Sequence, residues 1–163
     1  MRLLGVDPAL RETGYVVVEY EQRNTGKMST PINILEKGII KTFSSQSFAQ
    51  RLKSLYERVY SVFRKHRPQA LVLEKIYSHW KHPQTASLLG HARAVVILCA
   101  SQNGIPLYEY SSTHIKKALT GRGNASRVQI RRMIEFFTSE KNLSVHIEDA
   151  LSLVIAHIHT LRC

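Results

Sequence analysis

Cysteine is scarce in this sequence of 163 residues, which contains only Cys99 and Cys163. The two lie far apart without Cys-x-x-Cys spacing, so neither a zinc knuckle nor a disulfide framework is indicated. Long apolar runs are also missing, because the longest, residues 94–100, is too short to cross a bilayer. No secretory signal is recognisable, since Met1 and Arg2 lead directly into a predicted strand. These absences predict a cytoplasmic protein with no membrane partner.

Acidic residues are the minority among the charged side chains. There are 12 Asp and Glu against 23 Lys and Arg, which gives a formal net charge of +11. Such an excess in a chain of this size predicts a polyanionic partner, with nucleic acid as the first candidate. An anionic membrane surface is the alternative, but no basic amphipathic helix stands apart from the predicted fold to bind one. The length predicts a single domain over residues 1–163.

The order of the predicted elements defines the fold class. A short connection over residues 8–13 makes the first two strands antiparallel neighbours, and strand–helix units follow. Capping-box spacing at Ser47 and Gln50, and again at Ser126 and Gln129, predicts two helix starts. The predicted strands are Arg2–Asp7, Gly14–Tyr20, Ile32–Thr42, Ala70–Glu74 and Leu107–Tyr110, and the predicted helices cover residues 47–66, 83–103, 112–119, 126–137 and from about 144 onward. This order predicts an α/β protein with a mixed five-stranded sheet flanked by helices.

Two acidic residues close predicted buried strands. Asp7 ends the first strand and Glu74 the fourth, and open α/β sheets tend to place their sites at the C-terminal ends of strands. If these strands are parallel neighbours, both carboxylates lie within reach of one metal ion. His146 and Asp149 lie on one face near the start of the last helix and complete a set of four possible ligands. Three carboxylates with one imidazole favour Mg²⁺ or Mn²⁺ over zinc.

Each of these residues also has an ordinary structural interpretation, and spacing alone leaves both interpretations open. Asp7 before Pro8 fits a turn, Glu74 fits an ion pair at a strand end, and Asp149 fits a first-turn acid favoured by the helix dipole. His146 fits a polar surface residue of the first helical turn. An acidic pocket in a chain of charge +11 nevertheless favours a nuclease. In such an enzyme basic residues hold the phosphate backbone, and two metal ions about 4 Å apart activate water and stabilise the leaving oxygen.

Nearly the whole chain resembles the RuvC family, the bacterial Holliday-junction resolvases of RNase H-like fold. The motifs that carry the resemblance are Leu4–Pro8 with Arg11 and Thr13–Tyr15, Leu73–Glu74 with Tyr77, residues 86–94, Tyr110, Lys116–Lys117, Gly121-x-Gly123-x-Ala125, Gln129, His146-x-x-Asp149-Ala150-Leu151 and Ala156-His157-x-His159. The resemblance implies that the catalytic residues and metal ligands are Asp7, Glu74, His146 and Asp149.

The resemblance also implies a substrate and partners. It implies a homodimer that binds a four-way DNA junction and makes two symmetric nicks in recombination and repair, each leaving a 5′-phosphate and a 3′-hydroxyl. The implied cofactor is Mg²⁺, two ions per subunit, with Mn²⁺ able to substitute. A branch-migration helicase complex is a further implied partner. Two other functions stay open: a broader nuclease of forks and flaps, and a non-catalytic module that binds junctions.

Several basic and aromatic residues are candidates for DNA contact. Backbone amides of the glycine-rich loop at residues 120–124 can approach phosphates closely. The resemblance places the basic residues around this loop on the DNA face: Lys116, Lys117, Arg122 and Arg127. It also implies that Tyr77 stacks on a base opened at the junction, with Trp80 as its rival. Arg131 and Arg132 fit a solvated helix face equally well, whereas His157 fits cap and dipole interactions at a helix end.

The sequence departs from the family pattern at three positions. His146 stands where some members have a fourth aspartate, which makes the site less negative by one charge. Arg127 stands where lysine is common, and arginine clamps a phosphate but does not release a proton, so we expect no proton-donor role there. Ala9 stands where glycine is usual, so the turn after Asp7 accepts a Cβ atom.

Overall fold

The structure is a computed structural model that describes residues 1–21, 32–76 and 83–161. Within that part of the chain, the strands are β1 (Arg2–Asp7), β2 (Glu12–Glu19), β3 (Asn33–Lys41), β4 (Ala70–Glu74) and β5 (Leu107–Tyr110). They form one sheet in the order β3-β2-β1-β4-β5. The pairs β1–β2 and β2–β3 are antiparallel, whereas β1–β4 and β4–β5 are parallel. The predicted mixed five-stranded sheet is therefore confirmed.

One strand begins earlier than its sequence pattern predicts. We expect β2 to start at Gly14, where the apolar run begins, but it starts at Glu12. Glu12 and Thr13 pair with Lys41 and Ile40 of β3 and so extend the ladder past the apolar run. Backbone pairing, which hydropathy does not record, sets this boundary.

The helices in the described ranges are α1 (Phe48–His66), α2 (Pro83–Gln102), α3 (Ser112–Thr120), α4 (Arg127–Thr138) and α5 (Val145–Thr160). Both predicted capping boxes are present, at Ser47 with Gln50 and at Ser126 with Gln129. These reciprocal bonds satisfy backbone amides that a helix start leaves without partners. None of the helices in these ranges carries an apolar stretch long enough to cross a membrane.

Two hydrophobic cores lie on opposite faces of the sheet. One packs α1 and α2 against the sheet, and the other packs α3, α4 and α5. In β4, Leu71 and Leu73 enter the first core, whereas Ala70 and Val72 enter the second. This alternation is the two-residue period of a strand buried on both faces.

Helix α5 lies close against β1 and β2 because glycine occupies two positions beneath it. A Cβ atom added at Gly5 would overlap the carbonyl oxygen of Ala150. A Cβ added at Gly14 would overlap the backbone carbonyl of His146. Both glycines have ordinary backbone conformations, so their role is space rather than conformational freedom. The absence of these two side chains sets the distance between α5 and the sheet.

Glu36 on β3 links the sheet edge to the end of α1. Its carboxylate accepts a hydrogen bond from the Tyr15 hydroxyl at 2.7 Å, lies 2.8 Å from His66 Nε2, and pairs with Lys65. Bonds from Lys65, His66 and Tyr15 lower the pKa of Glu36 to about 2. A carboxyl with a depressed folded-state pKa stabilises the fold above its unfolded pKa, and this contribution disappears as the pH falls toward the folded value.

Glu36→Gln is expected to lower the free energy of unfolding by about 1–2 kcal/mol at pH 7, since solvent screens a partly exposed carboxylate. The difference from wild type should shrink as the pH falls through 4.5 and vanish near pH 2. Urea unfolding at pH 7, 4 and 3 measures it. Glu57→Gln, in an exposed pair with Lys53, should change stability by less than about 0.5 kcal/mol. A Glu36→Gln difference that stayed constant from pH 7 to pH 3 would contradict this assignment.

Candidate active site

Asp7 and Glu74 lie at the C-terminal ends of adjacent strands. Residues Leu3–Gly5 of β1 pair in parallel with residues Ala70–Val72 of β4, so both strands end at the same edge of the sheet. The condition on which the sequence-based site depends is therefore met. Both carboxylates line one pocket at this edge.

Helix α5 adds Asp149 to the same pocket. The two glycines under α5 allow its first turns to approach the ends of β1 and β2, and Asp149 then lines the pocket with Asp7 and Glu74. The pocket has a volume of about 240 Å³, and α3, α4 and α5 provide its remaining walls. Its lining residues are Asp7, Glu74, Ser112, Ile115, Lys116, Arg127, Ile130, Asp149, Ser152 and Leu153.

Burial and neighbouring negative charge raise the pKa values of two of the three carboxylates, Glu74 and Asp149. Burial is the main cause of the raised pKa of Glu74, and the negative charges of Asp149 and Asp7 add to it, whereas a bond from Ser112 opposes it. Burial also raises the pKa of Asp149, and Asp7 adds to the effect against the opposing charge of Arg127. Their surroundings therefore disfavour the ionised forms of Glu74 and Asp149, and a bound cation would offset the repulsion from the neighbouring carboxylates.

His146 lies beside Asp7 but outside the lining of this pocket. Its Nδ1 atom is 2.9 Å from Asp7 Oδ2, and its Nε2 atom is 3.6 Å from Glu12 Oε2. The imidazole therefore bridges two carboxylates, one at the end of β1 and one at the start of β2. Sequence reasoning missed Glu12, whose signal is its position at the start of β2, directly after the turn that follows Asp7.

The predicted DNA-binding residues fall into two groups. Lys116 and Arg127 line the acidic pocket, and Arg127 Nη2 lies 3.4 Å from Asp149 Oδ2. Lys117 and Arg122 are exposed and do not belong to the pocket lining. Tyr77 and Trp80 lie outside the described residues.

Two of the three pocket acids contact basic side chains in this arrangement. Asp7 contacts His146, and Asp149 contacts Arg127. Across residues 1–21, 32–76 and 83–161, no three or more Asp, Glu, His or Cys side chains are grouped closely enough to enclose a metal ion. The donor set nevertheless fits a hard divalent cation, because three carboxylates from three elements line one pocket.

Arg93 of α2 supports the strand end that carries Glu74. Its guanidinium is 8% exposed, donates to the carbonyl oxygen of Glu74 at 2.6 Å, and pairs with Glu109 of β5. A buried arginine with two fixed acceptors holds the backbone at Glu74 in place. Sequence reasoning missed this role of Arg93. The available signal is Glu109, an acidic residue inside the short strand β5.

Two interpretations of basic residues need correction. Arg131 is not simply part of a solvated face, because it forms a two-bond contact, at 2.6 and 3.3 Å, with the buried carboxylate of Glu148. His157 is only 1% exposed and accepts or donates one hydrogen bond with the Tyr110 hydroxyl at 2.8 Å. Burial lowers the pKa of His157, so a dipole interaction of a charged imidazole does not explain it.

Comparison with known proteins agrees with this geometry. A family model described as crossover junction endodeoxyribonuclease RuvC matches residues 3–157. The RuvC endodeoxyribonuclease of Pelotomaculum thermopropionicum is 32% identical over 161 residues, covering 98% of this chain and 93% of that protein. That of Chlamydia felis is 35% identical over 162 residues, covering 97% and 92%.

Solved structures share the architecture. Thermus thermophilus RuvC in complex with a Holliday junction substrate matches with a TM-score of 0.89 and 25% identity, over 99% of this chain and 95% of that one. The yeast mitochondrial Holliday junction resolvase matches with a TM-score of 0.64 at 12% identity and so shares the fold. The sheet and its flanking helices define an α/β protein of RNase H-like fold with an acidic pocket at the strand ends. The chain belongs to the RuvC family of crossover junction endodeoxyribonucleases. Nucleases of this family are metal-dependent.

Proposed function

We propose that this chain is an endonuclease that resolves Holliday junctions in DNA recombination and repair. One observation carries the proposal: Asp7, Glu74 and Asp149, from β1, β4 and α5, line a single pocket together with Lys116 and Arg127. Acids that would bind cations and basic residues that would bind phosphate thus meet at one edge of the sheet. The products would be two symmetric nicks with 5′-phosphate and 3′-hydroxyl ends, made by one nuclease domain over residues 1–163.

The proposed catalytic residues have two roles: the acids would bind metal ions, and the basic residues would bind phosphate. Asp7, Glu74 and Asp149 would hold Mg²⁺, two ions per subunit, with Mn²⁺ able to substitute. When bound, a divalent cation polarises the phosphate and lowers the pKa of a water molecule. Arg127 and Lys116 would contact the non-bridging oxygens of the scissile phosphate, and arginine can do so through two bonds. His146 would orient the Asp7 carboxylate through the 2.9 Å contact, or ligate a metal directly.

The remaining DNA contacts follow the family resemblance. Lys117 and Arg122 flank the loop after α3 and are exposed, which supports contact with the backbone away from the scissile phosphate. Tyr77 would stack on a base at the junction centre. A branch-migration helicase complex would be the partner that delivers the junction.

A divalent-metal titration tests the catalytic proposal. We expect no nicking of a synthetic four-way junction in EDTA, nicking on addition of Mg²⁺, and nicking with Mn²⁺ in its place. Binding measured by gel shift should persist in EDTA. Binding without metal-dependent nicking would instead favour a non-catalytic junction-binding module.

Competition between branched substrates tests the specificity. A labelled four-way junction would be cut in the presence of unlabelled four-way junction, fork, flap or linear duplex at equal concentration. We expect the four-way junction to compete at least about tenfold more effectively than the others. Equal competition by forks and flaps would favour the broader branched-DNA nuclease.

We also propose that the chain acts as a homodimer that contacts its partner through α2. The outward face of this helix exposes two leucines, Leu88 at 44% and Leu98 at 51%, with His91 and Ala94 also exposed between them. Exposed leucines on one helix face are typical of a subunit interface. A two-fold enzyme axis would match the two symmetric nicks.

Leu98→Glu is expected to shift the protein from dimer to monomer, because it replaces the most exposed leucine of this face with a charge. Light scattering after size-exclusion chromatography, across a tenfold range of concentration, measures the mass. Phe136→Glu, at a 73% exposed position on α4, serves as the matched control and should leave the dimer intact. A dimer lost with Phe136→Glu and retained with Leu98→Glu would move the interface to α4.

A further inference from the structure

A basic cleft, separate from the acidic pocket, lies at the edge of the sheet where β1 ends in Asp7. It is on the face of the sheet covered by α1. Its volume is about 470 Å³. Arg11 enters it from the turn between β1 and β2, and Arg51 enters it from the first turns of α1. The lining residues are Arg11, Thr42, Phe43, Ser44, Ser45 and Arg51.

Buried hydrogen bonds fix the walls of this cleft. Thr42 is 5% exposed, and its hydroxyl donates to the carbonyl oxygen of Leu10 at 2.5 Å. The same hydroxyl accepts a bond from Arg51 Nε at 2.9 Å, while the Thr42 amide donates to the carbonyl oxygen of Arg11 at 3.1 Å. The turn, the end of β3 and α1 are therefore braced together, and the Arg51 side chain is held in one position.

Neither guanidinium has a carboxylate partner within the described ranges. No ion pair involves Arg11 or Arg51 there, and the Arg51 bond to Thr42 uses only Nε. Glu12, the acid next to Arg11 in sequence, is already paired with Lys41 at 3.1 Å. Arg11 adds a minor charge interaction with Glu12. Neither arginine has an ion-pair partner in these ranges, so two positive charges line one cleft together with the hydroxyls of Ser44 and Ser45.

The chemistry of the cleft fits a phosphate. Guanidinium groups and serine hydroxyls are typical donors to the oxygens of a nucleic-acid backbone. Phe43, 63% exposed at the rim, offers an apolar surface for the adjoining sugar. The cleft meets the end of β3, two strands from Asp7, which is about 10 Å across the sheet. DNA held at the acidic pocket would extend across this edge.

We propose that Arg11 and Arg51 bind a backbone phosphate of one junction arm, outside the catalytic pocket. This inference rests on the proposed function, because it names a second contact for the same DNA substrate. The contact carries no sequence information and positions the arm relative to the acids.

Salt-dependent binding tests the site. Affinity for a fluorescent four-way junction would be measured by anisotropy in EDTA, from 50 to 250 mM KCl. Arg11→Gln should weaken binding about five- to tenfold at 100 mM KCl and reduce the slope of log K against log salt by about 1. The double variant Arg11→Gln/Arg51→Gln should weaken binding further but reduce the slope by no more than about 1, since both arginines contact one phosphate. Arg51→Lys should retain most of the affinity because it keeps the charge.

Arg64→Gln, on α1 at the opposite edge of the sheet, is the matched control and should keep the wild-type slope. An unchanged affinity and slope for Arg11→Gln would overturn the inference. We would then expect the cleft to bind an acidic protein segment in place of DNA. Since affinity is measured without cutting, a wild-type protein that binds through Arg11 but never nicks would overturn the proposed function while supporting this site.

Discussion

Replacing Asp7 with Asn is expected to lower the rate of junction nicking by about 10³-fold or more while leaving junction affinity within about threefold of wild type. The amide keeps the shape of the side chain but removes the charge that a divalent cation needs. Asp7 lines the pocket with Glu74 and Asp149, and it also contacts His146 at 2.9 Å. Phosphate binding by Lys116 and Arg127 does not depend on this carboxylate, so affinity should survive.

The measurement is single-turnover nicking of a synthetic four-way junction in Mg²⁺, paired with a gel shift on the same junction in EDTA. Glu19→Gln provides a control with the same kind of charge change. Glu19 pairs with Arg2 at 3.2 Å at the opposite end of β1, far from the pocket along the strand. The control should nick at the wild-type rate. Loss of binding by Asp7→Asn in parallel with loss of nicking would contradict the separation of metal binding from DNA binding.

Arg131→Met is expected to give the largest loss of stability, with a fall in melting temperature of about 5–15 °C. The side chain of Glu148 is 4% exposed and its carboxylate receives two bonds from Arg131. Arg131 is itself about half exposed, so removing it leaves only the buried Glu148 carboxylate without its charged partner. An unpaired buried charge is strongly destabilising. Differential scanning calorimetry at pH 7 measures the change.

Two further variants test whether the loss of stability comes from the unpaired Glu148 carboxylate or from the loss of any charged side chain. Lys53→Met removes a lysine from an exposed pair with Glu57 on α1, 3.8 Å apart, and should shift the melting temperature by less than about 2 °C. Arg131→Met combined with Glu148→Leu should recover much of the lost stability, since no buried charge remains. If the double variant melted no higher than Arg131→Met alone, packing at position 131 rather than the unpaired carboxylate would explain the loss.

The sequence is sufficient to predict the strands that carry Asp7 and Glu74. Both are continuous apolar runs that end in an acid, and the parallel pairing of β1 with β4 follows from the order of strands and helices. Asp149 is also predictable, because the three-residue spacing from His146 fixes a helix face. The distinction between His146 beside the pocket and Asp149 inside it depends on the packing of α5 on Gly5 and Gly14, which spacing alone does not specify.

Side chains whose roles depend on a buried partner escape the sequence pattern. Glu148 lies in the first turn of α5, where acidic residues are common. Its pairing with Arg131 depends on the packing of α4 against α5. The sequence predicts that His157 interacts with the end of its helix, but the residue lies in the core beside Tyr110. Arg93 lies on a helix that is apolar on most sides, and its partners belong to β4 and β5. In each case the deciding contact joins elements that are distant in sequence.

The close packing of α5 over Gly5 and Gly14 has a consequence for the order in which this enzyme is made. Asp7 leaves the ribosome before Asp149, because β1 is the first described element and α5 follows every other one. The acidic pocket is therefore incomplete until α5 has been synthesised and has settled onto the two glycines. A nascent chain in which α5 has not yet docked lacks one of the three pocket acids, so the proposed catalytic site is complete only after α5 has packed on the sheet.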